Sequence, residues 1–436
     1  MILRPLAVWV LALIILAGIV GEWSEPAVPW WRLIAAGLVI GLAVDGWLAQ
    51  RQVLSVRRSE PAALHLGRHE TLQIELNNHS ARPLRLQFEP ALPAAVQTTH
   101  DSREVRVAPA SSLLQNIAIQ TITIGSVPWS ALPVRIAGPS GLAWWSRQLV
   151  LNTTLNVVPD TWHRNAGLTG IHAAPGAQTF RMGTGLELHH LREYQPGDPR
   201  QLIDWKASAR SGHLMTRVHA RDTQLRVVVV LDTGRTSKTA LDGLDQLGHY
   251  INLTSRLLEY AARNGDSVGL VTFSDRIGHA ISPAGGLATV AQIRQALGTL
   301  EARPVEGDVL MAALRVRQLV SQRTLVILLS DLFQGTSTSQ LAAAVRAWVP
   351  KHQPVLVGLI GKELAALARQ PANHWLDPYQ SLAALEYQRQ LESSVESLRR
   401  LGAMAVSTTP DELEARVFRQ YPVSYTHLTL PTNREV

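Results

Sequence analysis

The stretches "RVVVVLD" (226–232) and "TLVILLSD" (324–331) decide how this chain folds. Each is a short, unbroken apolar run that ends on an aspartate, Asp232 in one and Asp331 in the other. A strand with water on one face alternates apolar and polar residues. A strand that is apolar at every position is covered on both faces, as in a parallel sheet flanked by helices. "SVGLVTF" (267–273), "PVLVGLI" (354–360) and "AMAVST" (403–408) supply further strands. Helical periodicity occupies about 242–263, 288–300, 307–320, 337–348 and 380–400 between and after them. Strands alternating with helices predict a mostly parallel sheet in a doubly wound α/β domain over 226–421. In such sheets ligands bind beyond the carboxyl ends of the strands, near the point where strand order reverses. Asp232 and Asp331 both belong to that crevice, and their oxygens suit a hard divalent cation such as Mg²⁺.

Upstream, residues 52–158 follow a different rhythm. Leu72, Ile74 and Leu76 alternate with polar residues, "NNHSARP" turns, and Leu84, Leu86 and Phe88 alternate again. Val105 and Val107, Ile117 and Ile119, and Val134 and Ile136 keep the two-residue period. Short alternating runs between Asn, Pro and Gly turns predict an antiparallel β-sandwich. Asn78 and Asn152 stand in N-x-[ST] sequons, which a cytoplasmic domain leaves unused.

The N-terminus holds the excess of apolar residues that lifts the chain to 46% hydrophobic and only 17% charged. "LAVWVLALIILAGIV" (6–20) carries no charge, and "LIAAGLVIGLAVDGWLA" (33–49) is broken only by Asp45. Trp9, Trp23, Trp30, Trp31 and Trp47 flank these runs at positions suited to membrane interfaces. A cleaved signal peptide is the alternative for the first run, since Arg4 precedes a short apolar core. The second run directly behind it argues for a two-helix transmembrane hairpin over residues 1–50. Arg4 before the pair and Arg51, Arg57 and Arg58 after it, against Glu22 and Glu25 in the connector, predict that both ends face the cytoplasm. The expectation is a bacterial inner-membrane protein, with membrane lipid as one partner and most of its 436 residues cytoplasmic.

A net charge of +7 raises the question of nucleic acid. Lysine occurs only at 206, 238, 351 and 362, and acids are interspersed among the arginines throughout, so no basic groove is visible and nucleic acid is not expected as a partner. The absence of cysteine excludes disulfides and thiolate chemistry. Residues 423–436, "VSYTHLTLPTNREV", break from the helical "DELEARVFRQY" before them and read as a non-native tail.

Between sandwich and sheet, residues 159–225 form a connecting segment whose "LREYQPGDPRQLIDWKASAR" (191–210) is dense in charge, turn and aromatic residues. Pro196 and Gly197 make "QPGD" a turn. Arginine forks pair bidentately with carboxylates, and a tryptophan face accepts a guanidinium. Arg192, Arg200 and Arg210 opposite Glu187, Asp198 and Asp204 therefore suggest a network that fixes this segment between the two domains. A partner-docking surface is the second possibility, and catalysis the weakest. No G-x-x-x-x-G-K-[ST] phosphate loop and no G-x-S-x-G elbow occur. No enzyme is visible.

These residues resemble the signature of the domain-of-unknown-function 58 family: a Glu, then R-x-Y-x-x-G-D-x-x-R-x-I-D-W, then S-A-R. Here they are Glu187, Arg192, Tyr194, Gly197, Asp198, Arg200, Ile203, Asp204, Trp205, Ser208, Ala209 and Arg210. The 226–421 region resembles the von Willebrand factor type A fold, whose metal-ion-dependent adhesion site opens on D-x-S-x-S. This chain offers Asp232, Gly234 and Thr236, with Asp308 at the distal threonine position and Asp331 at the last acidic one. Glycine replaces the first hydroxyl ligand, so the resemblance implies a degenerate site for Mg²⁺ or Mn²⁺. It also implies a non-enzymatic membrane scaffold or adaptor that works with a MoxR-type AAA+ ATPase in protein or complex maturation. The alternatives are a Mg²⁺-dependent hydrolase using Asp232 and Asp331, and a purely structural membrane protein with a vestigial site.

Overall fold

The computed structural model describes residues 2–24, 30–60, 63–88, 92–98, 103–161, 182–183, 187–195, 200–220, 224–333, 337–369, 371 and 373–429. Two compact units divide the chain: Met1–Asp160 with Gly298–Leu300, and Thr161–Leu297 with Glu301–Val436.

The first unit opens with strand β1 (Ile2–Leu3), helix α1 (Pro5–Ser24) and helix α2 (Trp30–Gln50). Among the described residues only Trp31–Gln50 is long and apolar enough to cross a bilayer; the apolar part of α1, Ala7–Val20, is shorter. The two helices pack on each other where Gly18 faces the Trp31 ring. Strands follow in the order β2 (Leu54–Glu60), β3 (Leu64–His65), β4 (His69–Asn78), β5 (Leu84–Phe88), β6 (Val96–Thr98), β7 (Arg103–Val107), β8 (Ser111–Thr121), β9 (Gly125–Ala137) and β10 (Ala143–Val158). One sheet runs β1-β10-β9-β5-β7 with β3 on β10, and the other runs β2-β4-β8-β6. All pairings are antiparallel except β10 with β3. The two-residue period puts Leu72, Ile74, Leu76, Ile117 and Ile119 of one sheet in the core, with Leu84, Leu86, Leu132, Val134 and Leu155 of the other. Burial of such side chains stabilises by about 1.5–3 kcal/mol each relative to exposure. Asn78 is buried, and its amide donates to the carbonyls of Arg82 (3.0 Å) and Ala108 (2.9 Å). It closes a turn and is not open to modification.

The second unit begins with a small antiparallel sheet of β11 (Met182–Gly183), β12 (Glu187–Glu193) and β13 (Met215–Ala220), ordered β11-β13-β12, with helix α3 (Trp205–Ser211) between β12 and β13. Then come β14 (Arg226–Asp232), the short hairpin β15 (Ala240–Leu241) and β16 (Leu244–Asp245), α4 (Gln246–Arg263), β17 (Ser267–Phe273), β18 (Ile277–Ala284), α5 (Leu287–Leu297) and α6 (Val309–Leu319). The chain continues through β19 (Leu325–Leu329), α7 (Ser337–Trp348), β20 (Gln353–Leu359), α8 (Lys362–Leu367), α9 (Asp377–Arg400), β21 (Met404–Thr408) and α10 (Pro410–Thr429). The main sheet is ordered β18-β17-β14-β19-β20-β21. It is parallel except for β18, an antiparallel edge strand outside the set predicted from sequence.

Val227–Leu231 and Leu325–Leu329 are buried on both faces, as their unbroken apolar character requires. One face of the sheet packs against α6, α7 and the second half of α9 through Val309, Ala312, Leu341, Trp348, Leu391 and Leu398. Helix α10 runs on through Thr429, past the boundary expected at residue 421.

Candidate functional site

The chain leaves β14 for β17 on one side of it and later enters β19 on the other, so strand order reverses between β14 and β19. Asp232 ends β14, and Ser330 and Asp331 directly follow β19. All three stand at the switch point where parallel α/β sheets hold ligands.

Both oxygens of the buried Asp232 carboxylate are engaged. Oδ1 accepts the Gly234 N–H at 2.7 Å, and Oδ2 accepts the Ser330 hydroxyl at 2.6 Å. Burial pushes the carboxyl above its ordinary range, these two bonds oppose that, and the Asp331 charge adds to it. The Ser237 hydroxyl donates to the Asp232 carbonyl at 2.8 Å, closing the turn that follows. Below lies Tyr250, fully buried, whose hydroxyl accepts from Gln246 Nε2 and donates to the Ser330 carbonyl, both at 3.2 Å. Burial first, then the charges of Asp331 and Asp232, hold this phenol well above its usual value. Asp331 Oδ1 accepts the Phe333 N–H at 2.9 Å, and the Phe333 ring sits 4.1 Å from that of Tyr387. Burial and the Asp331 charge raise the Tyr387 phenol to about 12.

A strap between α5 and α6 covers the mouth. Arg303 N–H donates to the Thr233 carbonyl (2.8 Å), Arg235 N–H to the Val305 carbonyl (2.7 Å), and Asp308 N–H to the Ser274 carbonyl (2.8 Å). A Cβ at Gly234 would lie 2.9 Å from Val305 O, 3.0 Å from Asp232 Oδ1 and 3.1 Å from Gly307 N. A Cβ at Gly307 would lie 2.8 Å from Asp232 Oδ1. Glycine at 234 therefore does more than omit a hydroxyl, because the strap fills the space a side chain would need.

The donor set does not fit a resident Mg²⁺ or Mn²⁺, against the role expected of Asp232, Thr236, Asp308 and Asp331. Asp308 Oδ1 caps α6 by accepting the Met311 N–H at 2.9 Å. Thr236 is half-buried in the 3₁₀ turn Arg235–Lys238, where its carbonyl accepts the Thr239 N–H. Among the described residues no three His, Asp or Glu side chains gather at metal-holding spacing. Arg235–Glu306 (3.2 Å) and Arg303–Asp275 (3.1 Å) close the rim as ion pairs. Nothing in the sequence announces the strap or Gly307, while Ser330, directly before Asp331, stands in the quoted strand-end stretch.

The residues of the expected signature network fall partly within the described residues. Gly197 and Asp198 lie outside the described residues, and Glu187 begins β12. Arg192 Nη1 donates to the Glu193 carbonyl at 3.2 Å, and Tyr194 N–H to the Leu214 carbonyl at 2.8 Å. Asp204 is the N-cap of α3, accepting the N–H groups of Lys206 and Ala207 at 3.0 Å each. Trp205, 67% exposed, stacks nothing into a core, and Arg200 and Arg210 are exposed without an ion pair to another described residue. Ser208 fixes the segment locally. Buried, it donates to the Asp204 carbonyl (2.7 Å) and accepts the Met215 N–H (2.8 Å), tying α3 to β13.

In class, then, the second unit is a parallel α/β domain with a sealed carboxyl-end crevice, preceded by a compact capped-helix motif. Residues 190–378 match a protein family described as "Protein of unknown function DUF58". The "Uncharacterized protein YeaD" of Bacillus subtilis (strain 168) is 23% identical over 252 residues, 55% of this chain and 59% of that protein. The chain thus spans about three fifths of the length of the curated relative it matches. Among solved structures, the conserved hypothetical protein BatB from Bacteroides thetaiotaomicron is similar at a TM-score of 0.32 with 12% identity, covering 47% of this chain and 99% of that one. Native alpha-2-macroglobulin from Escherichia coli is similar at 0.21 with 16% identity, covering 26% and 18%.

Proposed function

We propose that this chain is a non-enzymatic scaffold or adaptor, anchored in a bacterial inner membrane by α1 and α2 with its remaining bulk cytoplasmic. In this reading its second unit is a von Willebrand factor type A-like domain that docks a MoxR-type AAA+ ATPase during maturation of other proteins or complexes. The observation that supports a docking role is the outward face around the start of α9. Trp375 (75% exposed), Tyr379 (68%) and Leu382 (66%) lie there with the exposed Leu376 and Leu385. A spacing of three residues puts Tyr379 and Leu382 on one stripe of α9, and Trp375 stands in the turn directly before the helix. Exposed aromatic clusters of this kind supply the central anchors of protein interfaces. The identity of the partner comes from the family resemblance of the 187–210 signature.

The sealed crevice favours a second reading, a purely structural membrane protein. Purified full-length chain in nanodiscs, titrated with a purified MoxR-type ATPase, separates the two. Binding that Trp375→Ala, Tyr379→Ala and Leu382→Ala together weaken by about 30-fold or more supports docking through α9, since one interface hot spot is worth at least about 2 kcal/mol. No binding by the parent sinks the ATPase partnership, and a triple variant that binds like the parent removes α9 from it.

A further inference from the structure

The tip of the β9–β10 hairpin holds both ends of the apolar helix pair. Before α1, β1 pairs antiparallel with β10, Ile2 opposite Trp144 and Leu3 opposite Ala143, and Arg4 N–H donates to the Leu142 carbonyl at 2.9 Å. At the end of α2, Asp45 is 2% exposed and aims its carboxylate into the same tip. Its Oδ1 accepts the Ser140 N–H (2.8 Å) and the Ser140 hydroxyl (2.5 Å), and its Oδ2 accepts Trp145 Nε1–H (3.1 Å). A Cβ at Gly138 would collide with that carboxylate, and one at Gly46 would meet the Trp145 ring at 2.6 Å. Two glycines thus let helix and hairpin approach closely. Arg147 Nη1 adds bonds to the carbonyls of Gln52 (2.5 Å) and Gln50 (3.4 Å).

Depth follows from helix geometry. Helix α2 has 21 residues and is about 31 Å long at ~1.5 Å per residue, close to the ~30 Å of a hydrocarbon core. Asp45 lies five residues before its end, so about 8 Å inside it. A hairpin that touches Asp45 must reach that depth. Its polar groups are arranged for a dry site, since the Asp45 carboxylate meets three donors, and a polar group in hydrocarbon has to find its partner within the protein. Arg4 lies 5.2 Å over the Trp144 ring and Arg51 3.9 Å over the Trp47 ring, at the two ends that the tip gathers. The neighbouring helix surface is outward and apolar, with Val8, Leu16, Ile19, Val39, Ile40 and Val44 exposed.

We infer that the β9–β10 tip is an interfacial insertion element: residues 139–142 sit beneath the lipid headgroups at the edge of the hydrocarbon, latched there by Asp45, with Arg4 and Arg51 facing lipid phosphates. This rests on the reading that α2 crosses a membrane, and it goes further by laying the first unit flush on the bilayer with both helix ends on one side.

The chain contains no cysteine, so a single introduced one is a unique label site. Full-length Leu142→Cys and, as an aqueous control, Leu114→Cys on the exposed face of β8 carry a nitroxide in liposomes of phosphatidylethanolamine and phosphatidylglycerol. Collision with a water-soluble nickel chelate is expected to be several-fold weaker at 142 than at 114, and collision with oxygen stronger. Adding Asp45→Ala is expected to return the 142 label to chelate contact while the chain resists carbonate extraction. Equal chelate contact at 142 and 114 in chain that resists extraction overturns this inference and leaves the anchor intact. Extraction of the parent by carbonate overturns the anchor itself. The parent comparison needs no variant at Asp45, so misfolding of Asp45→Ala does not rescue the idea.

Discussion

Gly234→Ser puts the closed crevice on trial directly. The new Cβ meets a backbone oxygen at 2.9 Å, a carboxylate oxygen at 3.0 Å and a backbone nitrogen at 3.1 Å. None of these can step aside cheaply. The carboxylate is held by Gly234 N–H and the Ser330 hydroxyl, and the strap is pinned on each side by backbone bonds at Arg303 and Arg235. Overpacking of this kind costs about 1–3 kcal/mol. Each kcal/mol moves the midpoint of a 150–250-residue domain by roughly 2–4 °C, so the variant melts roughly 2–12 °C below the parent. The assay is thermal unfolding of the full-length chain in detergent, with and without millimolar Mg²⁺ or Mn²⁺. A cation at 100 times its dissociation constant stabilises by about 2.7 kcal/mol, an effect too large to miss. The expected result is no metal-dependent shift in either protein. A rise in the parent with Mg²⁺ that Asp232→Ala and Asp331→Ala both abolish refutes the reasoning, as does a serine variant as stable as the parent.

Asp266 sits at the amino end of β17, buried, accepting the Leu225 N–H at 2.9 Å and the Tyr421 hydroxyl. Burial lifts its carboxyl from the ordinary 3.8 to about 7, against the pull of the Leu225 bond. The folded chain keeps a proton that the unfolded chain has lost, so this group's contribution is complete below about pH 4 and is lost as pH rises to about 7. At about 1.4 kcal/mol per unit the loss approaches 4 kcal/mol, and Asp266→Asn flattens that part of the stability curve in denaturant titrations from pH 4 to 8; parallel curves for parent and variant exclude Asp266 as the source. Asp308→Ala removes the cap of α6 and lowers stability by about 0.5–2 kcal/mol without altering behaviour toward Mg²⁺. Ser208→Ala strips the bridge between the Asp204 carbonyl and the Met215 N–H, costing about 1–3 kcal/mol, and amide exchange at Met215 accelerates; unchanged exchange there means that the bridge is not formed.

The core of the sheet domain was legible because burial on both faces leaves a mark: "VVVVL" and "LVILL" are short, unbroken apolar runs, rich in β-branched residues, with helical periods between them. β18 was not, because "IGHAISPA" lies half-exposed at an edge, contains Pro283, and pairs antiparallel through a bulged register. The place of the candidate site was legible from two strand-end aspartates, since strand order follows from the alternation of strands and helices. Its closure was not, because the strap acts through backbone atoms of Val305 and Gly307, whose packing no side-chain pattern records. In the signature, charge types drew the reading toward ion pairs, while the helix cap by Asp204 and the bridge through Ser208 rest on short polar side chains that charge does not mark. Asp45 looked like a flaw in an apolar helix and became intelligible only once Ser140 and Trp145, about a hundred residues away, appeared beside it.

The outward apolar residues of the chain fall into two sets, and their polar neighbours distinguish what covers each. On α1 the exposed Val8, Trp9, Leu11, Leu13, Ile15, Leu16 and Ile19 spread over more than half of the helix circumference, opposite the buried Ala7 and Ile14, and no charged residue interrupts 6–20. A helix that is apolar all round faces lipid or a protein core, and these side chains are not in a core. On α9 the exposed Tyr379, Leu382 and Leu385 are interleaved with Gln380, Glu386 and Arg389, and the opposite face is committed to the sheet through Leu391, Val395 and Leu398. Hydrocarbon penalises that mixture, because each polar group would lose water without gaining a partner. A protein surface accommodates it, with apolar anchors at the centre and a polar rim that stays wet. The same composition argument that supports the proposed lipid contact of α1 therefore argues against lipid at α9. This is why the proposed function seeks a protein partner at α9 and lipid only at the first unit.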